Sequence, residues 1–472
     1  MKQSVVPADL APQELSDMKN LEIEDIYKVY SQDSVGVCTD TRNIISGSMF
    51  FALRGETFNG NDFVADALAS GAAFAVADEP AAEAVDPQRV ILVENVLETL
   101  QQLSRYHRKQ FKIPVIALTG TNGKTTTKEL ISACLRKKYN VVATEGNLNN
   151  HIGVPLTLLR LNSQTQAAVI EMGASNPGEI DTLVKLVCPS FGLITNVGKA
   201  HLQGFGSFEG VMATKGELYD NLNEHRKIAF VNVDNPYLVQ MASARPRMQL
   251  VPYGTSNDGA KIVIDENGSP FLKMIVSNPC YTAVEENGEP EWLTVNTNLI
   301  GSYNSDNVLA ALCVSTYMDV PAADAIAAIA EYEPSNNRSQ LTRTANNTLV
   351  VDAYNANPTS MRASIENFAQ LKMPHKVLVL GDMLELGKDS LLEHRGVVKL
   401  ALDKGFKDIY LVGGEFAQAA TSMQGEIEGA HVLLFDDSIL LKEHFKAKPL
   451  SGCSVLIKGS RGKRLERIIE AL

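Results

Sequence analysis

No C-x-x-C spacing occurs anywhere in this chain. Its six cysteines, Cys38, Cys134, Cys188, Cys280, Cys313 and Cys453, stand far apart in 472 residues, which leaves no zinc, haem or dithiol signature and marks them as reduced packing residues. An excess of basic side chains is also missing. With 43 Lys and Arg against 55 Asp and Glu the net charge is −12, which argues against a nucleic-acid or polyanion partner but leaves room for a local basic pocket around a small anion. No stretch reaches the roughly 18 apolar residues that span a bilayer, and the first twenty residues carry no apolar signal-peptide core. A soluble, cytoplasmic protein is expected. Neither a Ser/His/Asp nucleophile signature nor an H-E-x-x-H helix is present, so hydrolase chemistry has no support.

What is there is a long alternation of apolar segments and helical patterns, with no internal repeat. Length alone suggests about three domains. Residues 1–17 mix Pro, Ala, Ser and acidic side chains without periodicity, and a disordered extension is expected there. Residues 18–111 alternate short apolar segments such as SMFFAL and AAFAVAD with helical patterns, the reading of a small α/β domain. From 112 to 334 the runs IPVIALTG, AAVIEMG, FGLITNV and KIAFVNVD predict a mainly parallel sheet buried on both faces. Within that region, alternating segments between about Gly259 and Leu299 predict a β-rich elaboration, and two helices follow. The polar EPSNNRSQ reads as a hinge. From 335 to 472, TLVVDAY, KVLVLGD, DIYLVGG, HVLLFDD and CSVLIKG repeat the rhythm of an open, Rossmann-like α/β sheet.

Open α/β sheets bind ligands beyond the carboxyl ends of their strands, so the residues that follow each strand carry the functional reading. After IPVIALTG comes Thr121-Asn122-Gly123-Lys124-Thr125-Thr126. Glycine lets backbone amides close on a phosphate, lysine supplies charge, and threonine reaches a magnesium ion. The full P-loop pattern asks for a glycine five residues before Gly123, where this chain has Leu118, so the loop is a variant. Glu171 follows a second strand, as an oxygen ligand for Mg²⁺ or as an ordinary capping carboxylate. His201 follows a third, where imidazole is a poor match to Mg²⁺ by hardness. Lys215, two residues before Glu217, reads by itself as part of a solvated helix face. Asp352 leads into a polar turn with Asn355 and Asn357 that opens a helix. Lys458, Ser460 and Arg461 form a glycine-spaced basic loop at another expected helix start, suited to a carboxylate or phosphate.

The loop Thr119-Gly120-Thr121-Asn122-Gly123-Lys124-Thr125 resembles the shortened phosphate loop of the Mur ligases, the ATP-dependent amide-forming enzymes of peptidoglycan precursor synthesis, and of their folylpolyglutamate synthase relatives. The likeness runs from about residue 21 to 472. Stretches at 38–63, 145–159, 194–218 and 352–368, with LGDMLELG and KGSRG, resemble the branch of that family that adds D-alanyl-D-alanine to UDP-N-acetylmuramoyl-tripeptide.

This resemblance implies a three-domain α/β fold and an enzyme that uses ATP and two Mg²⁺ ions; a monomer is expected. It implies that Gly120 to Thr126, with Asn304, Arg338 and Asp352, hold ATP. Lys124 would meet the β/γ-phosphates, and Thr125, Glu171 and His201 would coordinate metal. Lys215 would be carbamylated by CO₂ into a further metal ligand. Thr39, Asp40, Thr41, Arg42 and Ser48 would hold the uridine end of the substrate, and Asn147, Asn149 and Asn150 would face the muramoyl peptide. Asn355, Asn357, Lys458, Ser460 and Arg461 would line the site of the incoming dipeptide. One departure stands out: relatives commonly carry glycine before the arginine, where this chain has Asn337-Arg338. The alternatives are another ligase of this scaffold with a different amine (diaminopimelate- or lysine-adding, or folylpolyglutamate synthase), or a P-loop kinase or NTPase.

Overall fold

The computed structural model describes residues 21–256, 259–263, 269–277, 292–335 and 337–472; the expected extension over residues 1–17 and Cys280 lie outside them. Four parallel strands, Val37–Cys38, Met49–Phe51, Phe74–Ala77 and Val90–Leu92, pair in chain order to form the first sheet. The helix Val96–Lys109 closes this region. Asn95 caps it by accepting the Glu98 N–H at 3.0 Å, and Val96, Leu100, Leu103 and His107 recur at the three-to-four-residue spacing that buries one face. At its far end the buried Arg108 donates to the carbonyls of Val187 and Phe111 at 3.0 and 2.6 Å, which ties the first domain to the second.

The second sheet is wholly parallel, in the spatial order Gln249–Tyr253, Ile228–Asn232, Phe191–Ile194, Val115–Thr119, Ala167–Glu171, Val141–Ala143. Parallel strands need crossover connections, and the helices that supply them cover both faces, so central strands read as unbroken apolar runs. All five residues of Val115–Thr119 are buried. Separate apolar clusters fill the two faces, one under the helices Lys124–Arg136 and Ser305–Tyr317, the other under Glu179–Val187 and Phe208–Glu224. The expected β-rich elaboration is a three-stranded antiparallel sheet, Ala260–Val263, Phe271–Val276 and Leu293–Ile300. The two expected helices after it are Ser305–Tyr317 and Ala322–Glu331.

The third sheet runs Gln340–Arg343, Thr348–Asp352, Ser454–Lys458, Lys376–Gly381, Asp408–Val412, His431–Phe435, parallel except for its first, edge strand. The carboxyl ends of Thr348–Asp352 and Ser454–Lys458 bring the 352–357 turn and the 458–461 loop side by side. The helix expected after Lys458 does not form. Two 3₁₀ segments, Arg461–Lys463 and Leu465–Ala471, follow instead, broken at Arg464, which sits at φ +50°. No α-helix amides are therefore on hand to assist the basic loop as an anion site.

Candidate active site

A cleft of about 880 Å³ lies between the second and third domains, lined from both. Its floor is the loop that follows the central strand Val115–Thr119. Gly123 precedes the helix Lys124–Arg136 at φ +77°, and a Cβ there would stand 2.5 Å from the Asn307 Oδ1, so only glycine fits both the turn and the approach. The segment after the neighbouring strand holds the loop in place. The Thr121 and Asn122 amides donate to the Asn196 carbonyl and side-chain oxygen at 3.0 and 2.9 Å, and the Thr195 hydroxyl donates to the Asn122 carbonyl at 2.6 Å. Lys124 curls back over the turn and donates to the carbonyls of Gly120 and Thr121 at 2.8 and 3.1 Å. Burial lowers its pKa, with the Glu171 carboxylate acting the other way.

Glu171 ends the adjacent strand and is 1% exposed. Its Oε1 accepts from the Asn149 side chain at 2.8 Å, while Oε2 is buried without a hydrogen-bond partner. A carboxylate oxygen left dry in this way costs free energy unless a cation or donor completes it. An oxygen-seeking cation fits that position, with the Thr125 side chain also at the cleft. Among the described residues no three His, Cys, Asp or Glu side chains cluster to hold a metal. His201 adopts φ +51° and pairs through Nδ1 with Glu385 of the third domain. Burial depresses its pKa, Glu385 opposes that shift, and Lys124 and Lys215 add to it.

Lys215 corrects its expectation as a solvated residue. It is 3% exposed, lies over the Phe205 ring at 5.2 Å and donates to the Ala174 carbonyl at 3.4 Å. Glu217, on the same helix, turns instead to the Gly178 and Asp181 amides at 2.8 Å each. Burial, reinforced by Lys124, brings the Lys215 pKa down to about 7.

The opposite wall belongs to the third domain. Asp352 Oδ2 accepts from Lys458 Nζ at 2.6 Å and from the Ser364 hydroxyl at 2.9 Å, and its Oδ1 accepts the Ser339 amide at 3.3 Å. Burial pushes this carboxyl up, but Lys458 together with the Ser364 and Ser339 hydrogen bonds outweighs it and holds the group below the ordinary carboxylate range. Arg338 stacks on Tyr354 with its guanidinium carbon 3.6 Å from the ring centroid, and its Nε is buried without a partner. Asn337 adopts φ +57°, a left-handed position that suits glycine and that asparagine is among the few other residues to tolerate. Asn357 opens the helix Pro358–Gln370 with a capping box and also donates to the Asn122 Oδ1 at 2.7 Å, joining the two walls.

Most of the residues singled out in the sequence share this cleft: Thr121 to Thr126, Asn149, Asn150, Glu171, His201, Asn304, Arg338, Asp352, Asn355, Asn357 and Lys458. Others stand apart from its lining. Lys215 lies behind Ala174, and Asn147 is exposed at the start of the turn that leads to Asn149. Ser460 is 2% exposed, accepting the Leu384 amide at 3.0 Å, and Arg461 points to the Tyr354 hydroxyl at 3.3 Å. Thr39, Asp40, Thr41, Arg42 and Ser48 belong to the first domain, where Asp40 and Arg42 form an ion pair at 2.7 Å and the buried Ser48 hydroxyl has no partner. Sequence reasoning missed Tyr354, Asn307 and Glu385. Tyr354 ends the run TLVVDAY, but a single aromatic between Ala353 and Asn355 gives no periodic signal.

Three family profiles match the chain in succession: "Mur ligase family, catalytic domain" over residues 34–108, "Mur ligase middle domain" over 118–315, and "Mur ligase, glutamate ligase domain" over 337–461. The chain is 36% identical over 447 residues to the UDP-N-acetylmuramoyl-tripeptide--D-alanyl-D-alanine ligase of Escherichia coli (strain K12), covering 92% of this chain and 93% of that one. A crystal structure of MurF from Acinetobacter baumannii superposes with a TM-score of 0.80 at 28% identity, covering 94% and 97% of the two chains. The MurF ligase from Thermotoga maritima in complex with ADP gives 0.77 at 27% identity, covering 92% and 96%.

Proposed function

The chain belongs to the Mur ligase family, and from that membership we propose that it is the ATP-dependent ligase that joins D-alanyl-D-alanine to UDP-N-acetylmuramoyl-tripeptide, giving the pentapeptide, ADP and phosphate. The observation that carries this reading is a single cleft with a phosphate-type loop on one wall and the 352–357 and 458 segments on the other, in a chain that matches such a ligase along nearly its whole length. The rival ligases of this scaffold and a plain P-loop kinase are not favoured, because the dipeptide-adding enzymes match at 28–36% identity, against 18% for a diaminopimelate-adding ligase and 14% for a folylpolyglutamate synthase.

Roles follow from position. In this reading residues 18–111 hold the uridine nucleotide end through Thr39, Asp40, Thr41, Arg42 and Ser48, residues 112–334 hold ATP, and residues 335–472 bring the dipeptide. The terminal carboxylate of the tripeptide attacks the γ-phosphorus, the bond to the bridging oxygen breaks, and ADP leaves. The acyl phosphate then meets the dipeptide amine, and phosphate departs as the amide forms. Such transfers are driven by positioning and charge neutralisation more than by covalent help from the protein. Lys124, now resting on the turn's own carbonyls, is placed to swing onto the β/γ-phosphates, and the amides at the start of Lys124–Arg136 face the same anion. Asn304, Arg338 and Asp352 bound the nucleotide. Asn147, Asn149 and Asn150 face the muramoyl peptide, and Asn355, Asn357, Lys458, Ser460 and Arg461 belong to the dipeptide side.

Mg²⁺, when bound, supplies charge that offsets the phosphates, and Thr125, Glu171 and His201 would hold it. Lys215 extends this set as a carbamate: its amine attacks the carbon of CO₂, an N–C bond forms, a proton leaves, and a cation becomes an anion. Its deep burial without an ion-pair partner among the described residues supports that role, as does a pKa that leaves much of the amine neutral at pH 7.

The test is product formation. Phosphate release that requires both the muramoyl tripeptide and D-alanyl-D-alanine, with a pentapeptide mass in the product, is expected; release with neither would make the protein an NTPase and overturn the reading.

A further inference from the structure

Arg338 and Arg461 come from distant parts of the chain, yet both address one aromatic ring. Arg338 lies face-on to Tyr354 at 3.6 Å, while the Arg461 guanidinium is 5.3 Å from the same centroid and its Nη1 donates to the Tyr354 hydroxyl at 3.3 Å. Tyr354 and Arg338 line the cleft, whereas Arg461 is exposed beside it. Two guanidinium groups repel each other. A ring offering its negative face to one cation and its hydroxyl oxygen to the other binds both and separates their charges.

The loops beneath are joined in the same pattern. Ser339, next to Arg338, donates its amide to Asp352, and Lys458, three residues before Arg461, donates to the other oxygen of that carboxylate. Asp352 thus fixes the bases of the two loops, and Tyr354, two residues on, fixes their tips. The Arg338 Nε is buried without a partner, so the Arg338 side chain is oriented by the ring and not by a hydrogen bond at that nitrogen.

We propose that Tyr354 is a positioning residue that aligns the nucleotide-side Arg338 and the dipeptide-side Arg461 on one ring, so that the ATP and amine sites are set together. This rests on the ligase reading above. The two cations use the ring differently: Arg338 depends on its face at 3.6 Å, while Arg461 adds a hydrogen bond to the hydroxyl to a longer ring contact at 5.3 Å. Removing face and hydroxyl separately should therefore separate the two substrates.

Steady-state kinetics of Y354F and Y354L, varying ATP and D-alanyl-D-alanine in turn, tests this. In Y354F the stack survives and the hydroxyl contact is lost. The KM for the dipeptide should rise by roughly two- to tenfold with the KM for ATP unchanged, the range of one ordinary hydrogen bond, as suits a long and exposed contact. In Y354L both should rise, with the KM for ATP up by roughly three- to thirtyfold as the stack is lost. Unchanged KM values in Y354F, or an equal rise in both, overturn the proposal, and this arm decides it even if Y354L fails to fold. A wild-type protein that makes no pentapeptide would instead sink the ligase reading, and ADP titration into Y354L then still decides the Arg338 half: an affinity equal to wild type overturns it.

Discussion

Lysine 215 shows how far one residue can depart from its sequence context. Glu217 two positions on suggests a solvated pair, but residues i and i+2 of a helix do not face one another. In the fold the carboxylate turns to the Gly178 and Asp181 amides while the lysine goes inward. An amine held near pH 7 by burial and by Lys124 has little to offer as a structural cation and much as a nucleophile for CO₂. K215A should lower kcat by roughly 100- to 1000-fold, the scale of losing one preorganised charge at a transferring phosphoryl group, and added short carboxylic acids should restore part of it. Full activity without additives would remove the carbamate. Asp352 offers a second test. Its folded-state carboxyl lies below the ordinary value of 3.8, so its stabilising contribution is fully present above that pH and is lost as pH falls through the depressed value. D352N leaves Lys458, 2% exposed, without its counter-charge and should cost about 3 kcal/mol at pH 7, the low end for breaking a buried pair because asparagine keeps an acceptor. Urea unfolding should show that gap narrowing in strong acid; a gap independent of pH would mean the pair contributes no charge stabilisation.

Elements were legible where their chemistry is local. The turn before Lys124–Arg136 announced itself by Gly-Lys-Thr, and the helix Pro358–Gln370 by its asparagine cap and first-turn proline. The basic loop after Lys458 was not, because glycine and arginine spacing does not reveal that Arg464 turns left-handed and stops an α-helix from forming. Gly123 tests the phosphate loop as an element. A methyl group there meets both a positive φ and the Asn307 oxygen that accepts the Thr127 hydroxyl at 2.9 Å. G123A should therefore lose about 1–3 kcal/mol of stability, read by urea unfolding. It should also weaken ADP binding at least roughly tenfold by calorimetry, since a shift of about 1 Å in a positioned loop is costly. Wild-type affinity would show that the loop tolerates the side chain and does not approach the nucleotide closely.

At the scale of the molecule, the four sheets and their succession along the chain could be read from apolar and alternating runs, while the strand order within them and the contacts that assemble the site could not. Asn122 and Asn357 are 235 positions apart and meet at 2.7 Å, and His201 meets Glu385 across the same boundary; neither partner carries a mark in the sequence that names the other. Two kinds of bond hold the second and third domains around the cleft. Lys199 to Glu393 at 2.7 Å is a surface ion pair with the lysine 55% exposed, of a class worth roughly 0–1 kcal/mol and screened by salt. Asn122 to Asn357 is neutral and partly buried, and its asparagine also caps a helix, so its loss removes two functions at once. If the domains must stay together for phosphoryl transfer with water excluded, the neutral bond carries the larger share. At saturating substrates E393A should change kcat by less than about threefold. N357A should lower it by roughly fivefold or more, from about 1 kcal/mol of lost inter-domain bond, while the lost cap shows separately as about 1 kcal/mol of stability. Raising potassium chloride from about 50 to 500 mM should leave the wild-type kcat nearly unchanged, because a neutral hydrogen bond is not screened. A strong salt dependence of kcat, with E393A as damaging as N357A, would reverse this ranking and place closure under the control of the surface ion pair.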